Sequence, residues 1–480
     1  MKKLQLLPLL LISMSLLFPS CGKDFLDLEP ISSNSTNGFY KTATDIEQGV
    51  SGAYDALQST GQYGHYFVYF MEVSSDNSKT ESITNSGGIY GDFDLFRTAA
   101  SNVILNDTWQ SCYNGIQRCN IVLNRIDQID MDAQVKEYRK AEMKFIRALT
   151  YFNLVRIWGP VSLVTEEVKN PFDAFKYGRN SVPEVYEQII KDLKEAEQAL
   201  PVAYPDFKDL GRATKGAAQA LLGKVYLTTK DYTSAAAVLK TLIDARSYKL
   251  VGTFADIFKV IYKNNKESIF EVQFLKGGLG EGSSFANIFA PSGSTILTGG
   301  IGTTLGNNIP TTNLLNAYTS TTDVRKIATI DKLADGRLYV KKFMDIPYQA
   351  NDASSNFIVL RYADVYLMYA EALNELNYEA NGDALYYLNE IRGRAVVTKY
   401  GATSLTSKVA FRQAIFAERR LEFAFENHRW FDLLREGKAL ETMNNSAGGF
   451  TIVDHQLLFP IPQSQINTNP GKIYQNPDYN

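Results

Sequence analysis

The chain has 480 residues, a formal net charge of −3, and 45% hydrophobic and 21% charged residues, the balance of an ordinary globular protein. Without a long basic block there is no electrostatic footprint for nucleic acid or an anionic surface, so polyanionic partners are not expected.

Met1, Lys2 and Lys3 are followed by an apolar run from Leu4 to Phe18 and then Pro19, Ser20 and Cys21. A basic start, a short apolar core and a small residue before cysteine read as an export signal over residues 1–20, too short for a comfortable membrane span. Cleavage before Cys21 places that thiol at the new N-terminus, where bacterial lipoproteins are acylated. An export peptide with an incidental cysteine is the alternative. Residues 21–38 lack periodicity and read as a tether, with Phe25 and Leu26 able to plug into the body.

The body, residues 39–480, reads as one mainly α domain. Ile46, Val50, Ala53 and Leu57 share one face of a helix over Thr44 to Leu57. Residues 60–106, rich in Tyr, Phe, Ser, Asn and Gly, lose helical periodicity and read as a structured loop layer. Helices resume at Asp107 to Ile126 and Glu137 to Trp158, the second stopped by Gly159-Pro160. Cys112 and Cys119, seven positions apart on one helix, lie about 10 Å apart, beyond the roughly 7 Å a disulfide tolerates, and read as two buried thiols. Ser181 and Glu184 form a capping box.

Leu222 to Tyr226, followed by Asp231-Tyr232, Ala235 and Leu239, has tetratricopeptide spacing: Gly223 and Ala235 permit close helix approach, and Tyr226 and Leu239 fill the groove. A looser copy starts at Tyr369-Ala370, with Leu373, Ala384 and Leu388 and a longer turn around Asn381-Gly382. Helices at 407–427 and 429–442 complete a stack of pairs. The scaffold thus covers about 39–58, 107–245 and 357–442. Between its blocks, residues 246–356 carry short strand-like runs, Ser268 to Phe274 and Leu338 to Phe343, and nine glycines from Gly277 to Gly306. A long irregular insertion of this kind is usually functional. The binding surface is therefore expected where it meets residues 60–106.

Catalytic motifs are missing. His65, His428 and His455 share no short motif, and no nucleophile elbow, zinc-protease helix or phosphate-cradling glycine loop occurs. No metal or other cofactor is expected. A glycosidase needs only two well-spaced carboxylates, so that possibility stays open. The dense run from Glu418 to Asp432, and Arg147, Arg156 and Trp158, read as scaffold in which Arg–carboxylate pairs satisfy buried helix ends.

Several of these segments together resemble the SusD/RagB family of outer-membrane nutrient-binding lipoproteins. They are Phe25-Leu26-Asp27 with Pro30 after the cysteine, Ala141 to Thr165 with Arg147-Ala148, Tyr151-Phe152 and Val155 to Gly159, and Gly211 to Lys215. Arg361 to Val365 running into Tyr369 to Leu373, Glu418 to Arg435, and the ending Phe459 to Pro462, Asn469-Pro470 and Gln475 to Pro477 complete the set. The resemblance implies four tetratricopeptide-like helix pairs, a loop-rich ligand-binding half, no enzymatic activity, and a SusC-like TonB-dependent transporter as partner. It also implies a cell-surface lipoprotein, with Cys21 to Asp24 similar to the family's surface-export tag, that captures an oligosaccharide or, in some branches, a peptide.

Glycan platforms in the family often use Trp, yet Trp109, Trp158 and Trp430 lie in scaffold helices, so the platform here is expected to use Tyr or Phe. An aromatic ring covers the C–H face of a sugar while polar groups bond its hydroxyls. Tyr63, Tyr66, Tyr90, Phe93, Phe96, Tyr318, Tyr339 and Tyr348 form the pool. Asn77, Tyr90, Phe93, Arg97, Arg325, Tyr339 and Lys341 are the chosen candidates.

Overall fold

The computed structural model describes residues 39–446 and 451–479. The leader, Cys21 and the tether lie outside the described residues.

Eight helices form the body. Helix α1, Ala43–Gln58, is capped by Thr42, whose hydroxyl accepts from the Asp45 amide while the Asp45 carboxylate accepts from the Thr42 amide. Its expected face, Ile46, Val50, Ala53 and Leu57, is buried. Helix α2, Val103–Arg125, and helix α3, Ala133–Trp158, each begin four residues before the expected start. Asn102 and Asp132 are the reason, because their side chains accept from the Ile104 and Val135 amides and so set the N-termini. Helix α3 ends at Gly159, whose φ of +72° admits no ordinary side chain.

Helix α4, Val182–Ala199, starts at the expected Ser181–Glu184 pair, with Glu184 accepting from both the amide and the hydroxyl of Ser181. Helices α5, Lys215–Thr228, and α6, Tyr232–Asp244, form the tightest pair. A Cβ on Gly223 would lie 2.5 Å from a Leu239 methyl, so only glycine allows this approach. Helices α7, Tyr362–Leu376, and α8, Asp383–Arg394, follow. Each of the eight packs on the next in chain order, which gives the four expected pairs and a continuous tetratricopeptide-like stack. Cys112 and Cys119 are free and buried, and burial pushes the Cys119 thiol up to about 12. Among the described residues no helix is long and apolar enough to cross a membrane.

The C-terminal helices differ from the reading. Helix α9, Lys408–Glu422, stops before the expected 427, and the expected 429–442 helix splits into α10, Arg429–Arg435, and α11, Ala439–Asn444. Phe425 and Asn427 adopt positive φ in the intervening turn. The buried Glu72 carboxylate stabilises that turn by accepting from both of their amides, at 2.8 and 3.2 Å. A contact spanning 350 residues thus ends a helix whose local pattern would continue.

Residues 60–106 are less loop-like than expected. Wide helical turns at Thr60–Gly64 and Tyr69–Val73 bury Tyr63, Tyr69, Phe70 and Met71. Short strands form three two-stranded antiparallel ladders: β1, Ser78–Lys79, of the first irregular region with β3, Ile309–Pro310, of the second; β2, Ser268–Val272, with β6, Phe357–Arg361, which leads into α7; and β4, Ile330–Lys332, with β5, Leu338–Val340.

Candidate functional site

The two irregular regions join as expected. Ser78 pairs with Pro310 and Lys79 with Ile309, the Ser78 hydroxyl donates to Asn308 at 2.6 Å, and Thr311 donates to the Asp76 carbonyl at 2.7 Å. Across the same junction, Asn307 donates to the Tyr69 hydroxyl at 2.9 Å, and the Ser284 hydroxyl lies 3.1 Å from His65 Nδ1. Glu81 ties the rim by accepting from the Ser292 amide and pairing with Arg337, both at 2.6 Å. Residues more than 200 positions apart are thus held by short polar contacts at several levels, which makes the junction rigid.

An aromatic cluster sits on this junction. Tyr69 is fully buried and stacks on Tyr90 at 5.1 Å and 24°, with Tyr66 at 6.1 Å and Phe93 at 5.6 Å. Phe93 continues inward to Phe70 and Phe459. Tyr66 and Tyr90 reach the surface, each partly covered. Burial first, then the fields of Tyr90 and Asp107, push the Tyr66 hydroxyl up to about 12. Both phenols are therefore neutral donors and acceptors at physiological pH, beside ring faces that water only partly covers. Burial also pushes the His65 imidazole down to about 4, leaving it neutral.

The seven chosen candidates do not converge. Tyr90 belongs to the cluster, and Arg97 is exposed nearby, paired with Asp92 at 3.1 Å. Lys341 lies elsewhere, 3.2 Å from Asp331, on a groove of about 640 Å³ walled by Phe258, Val324 and Met344. The other four are interior, and the expectation that they face ligand is corrected by burial. Asn77 donates to Glu72 and accepts from Arg420, so its amide is committed. Phe93 is 0% exposed. Tyr339 packs among Ala286, Ala290, Leu297 and Ala353. Arg325 is also 0% exposed, its guanidinium bound to Asp323, Glu418 and Glu422.

The wider pool divides the same way. Tyr63, Phe96 and Tyr318 are buried, while Tyr348 is 65% exposed, its ring beside Gly278 in the glycine-rich edge. Tyr66 belongs to the aromatic pool that the sequence offers, whereas the supporting Tyr69, Ser284 and Asn307 do not stand out in it. Tyr69 and Asn307 carry no local signal, since their significance lies in a hydrogen bond between regions that sequence separates.

The run from Glu418 to Asp432 is scaffold, as read. Arg361 is bound to Glu267, Glu422 and Glu426 at 2.6 to 2.8 Å, and Lys342 meets Glu426 at 2.6 Å. Arg419 bridges Asp364 and Asp432, and Trp430 is 1% exposed. His428 stacks on Phe423 beside Lys224, and burial, then the Lys224 charge, hold its imidazole well below the usual range. Arg156 lies between the Phe152 and Phe431 rings, 3.7 Å from each. Arg147 grips Asp192 with two hydrogen bonds.

Comparison with known proteins agrees with this architecture along the chain. A family model described as "Starch-binding associating with outer membrane" matches residues 24–227, and one described as "SusD family" matches residues 285–479. A SusD-like protein of Formosa agariphila is 28% identical over 94% of both chains, and one of Bacteroides ovatus is 27% identical over 92% of this chain and 85% of its own. Among solved structures, a laminarin-binding SusD-like protein has a TM-score of 0.79 at 28% identity, covering 92% of this chain and 100% of that one. A SusD superfamily protein from Parabacteroides distasonis has a TM-score of 0.76 at 27% identity, covering 90% and 99%. With its motifs, its four helix pairs and both halves of its length matched, the chain belongs to the SusD/RagB family.

Proposed function

We propose that this protein is a cell-surface glycan-binding lipoprotein that captures an oligosaccharide without cleaving it and passes it to a SusC-like TonB-dependent transporter in the outer membrane. Cys21 carries the lipid anchor in this reading. The observation that carries it is the likeness to the laminarin-binding SusD-like protein, which extends over nearly the whole chain. The Tyr66–Tyr90 surface supports it, because two half-covered phenols on a rigid junction offer ring faces and hydroxyls to a sugar without first having to be ordered.

Calorimetry of the chain lacking residues 1–21, against laminarin, starch and a peptide panel, tests the reading. Saturable binding to a polysaccharide supports glycan capture. Binding to peptides alone turns it to peptide capture on the same architecture, and steady release of reducing sugar turns it to a glycosidase. Mass spectrometry of the mature N-terminus checks for a diacylglyceryl group on Cys21, and a gentle detergent pull-down that repeatedly returns no barrel removes the transporter from the reading.

A further inference from the structure

A second pocket, of about 520 Å³, opens on the helical scaffold between α2, residues 162–177 and the C-terminal segment around Gln465 and Ile473. Its volume is that of a small-ligand site. Half-buried Tyr113 gives it an aromatic wall, packed on the nearly covered Trp109 with ring centroids 5.1 Å apart and inclined by 34°. Trp109 is itself braced edge-on by Trp158. The Tyr113 hydroxyl donates to the Ser162 carbonyl at 2.8 Å, which fixes its ring. Gln117 locks the floor by bonding both the carbonyl and the amide of Val168, at 2.9 and 3.1 Å. The opposite wall, the turn Pro171–Lys176, is held from behind by Asn469 and Lys472, which donate to the Tyr177 and Phe175 carbonyls. The cavity is therefore built in advance.

Its chemistry is selective. Among the described residues that line it, Lys169 is the one charged side chain, so nothing there recognises a polyanion or a cation. Gln110 and Asn114, each next in sequence to a member of the aromatic pair, are exposed at the mouth. Their amides offer donor and acceptor together, the pattern that neighbouring sugar hydroxyls require. Ring faces with amides and almost no charge match a neutral sugar.

We infer that this pocket is a second subsite for neutral sugar, apart from the Tyr66–Tyr90 surface. The inference rests on the glycan-binding reading. Both places border the same helix, because Asp107, whose field reaches Tyr66, precedes Gln110 by less than one turn. A long glycan held at one can therefore extend toward the other.

The test uses laminarihexaose and maltohexaose, followed by calorimetry and by tryptophan emission. Of the three tryptophans, Trp109 is the one that lines this pocket, so a change of emission on binding points to it. Three chains are compared: the wild type, Gln110→Ala with Asn114→Ala, and Ala174→Phe, which narrows the pocket from an exposed position. The expected result is an emission change on binding, with affinity about fivefold lower or one binding event lost in both variants. Unchanged emission together with wild-type affinity in both variants would overturn the subsite while leaving glycan capture standing. If neither these probes nor the polysaccharides bind the wild type, the glycan-binding reading falls and the subsite falls with it.

Discussion

The seam around Arg361 withdraws its charged side chains from water, whereas the surface around Tyr90 leaves part of its aromatic rings open. In the seam, arginines and carboxylates are withdrawn from water and satisfy one another: Arg361, Arg325 and Lys342 meet Glu267, Glu418, Glu422 and Glu426 with almost no exposure. On the surface, Tyr66 and Tyr90 keep open ring area while Tyr69, Phe93 and Phe70 beneath them fill the core. A loop arginine or phenylalanine therefore says little about ligand until its partners are known. Coverage separates the two roles.

The sharpest way to break that contrast is to remove the seam's central cation. Arg361→Ala leaves several buried carboxylates uncompensated and is expected to cost about 3–5 kcal/mol, read as a large fall in the urea midpoint. A midpoint within experimental error of wild type would mean that water reaches the seam.

Phe93→Ala, which empties a fully buried site, is expected to cost about 3–5 kcal/mol of stability. Its folded fraction should bind glycan with wild-type affinity. A specific loss of affinity with an unchanged melting temperature would return Phe93 to the ligand surface.

Tyr90→Ala should behave in the reverse manner. Melting temperature is expected to move little, while affinity for the bound glycan falls by about 1 kcal/mol, roughly fivefold, as calorimetry would show. Unchanged affinity would move the platform elsewhere, with the exposed Tyr348 the first alternative.

Protonation sharpens the comparison further. Burial pushes Glu72 up to about 7, so the folded state holds its proton more tightly than the unfolded chain. The stability linked to Glu72 is fully present below the ordinary glutamate value and is lost as pH rises through about 7. Arginine charges hold Glu422 and Asp432 far below the usual range against the opposing effect of burial, so their contribution is lost instead as pH falls below the ordinary carboxylate values. Glu72→Gln should flatten the fall in unfolding free energy between pH 5 and 7.5 and leave the acid limb unchanged. A slope identical to wild type would show that Glu72 is not the group responsible.

The smallest effect is expected at Arg97. Its ion pair with Asp92 is exposed, and such pairs contribute about 0–1 kcal/mol. Arg97→Ala should leave the melting temperature nearly unchanged, so any clear loss of affinity would mark direct contact with glycan.

The sequence by itself determined the helical body. Helical periodicity is local, and Ile46 through Leu57, the Ser181–Glu184 cap and the close pairing at Gly223 need information from only a few turns of chain. Spacing and composition also located the two irregular regions and their junction. Tertiary structure alone decided which of their side chains are covered. Asn77, Phe93, Arg325 and Tyr339 have the composition of a binding surface and the environment of a core, because Arg420, Phe459, Glu418 and Leu297, their partners, come from distant segments. The same applies to the end of α9, stopped by Glu72 from a segment about 350 residues earlier in the chain, and to the pocket beside Trp109, closed by a C-terminal segment more than 350 residues away. Burial depends on every element packed around a residue, and no window of sequence contains them all.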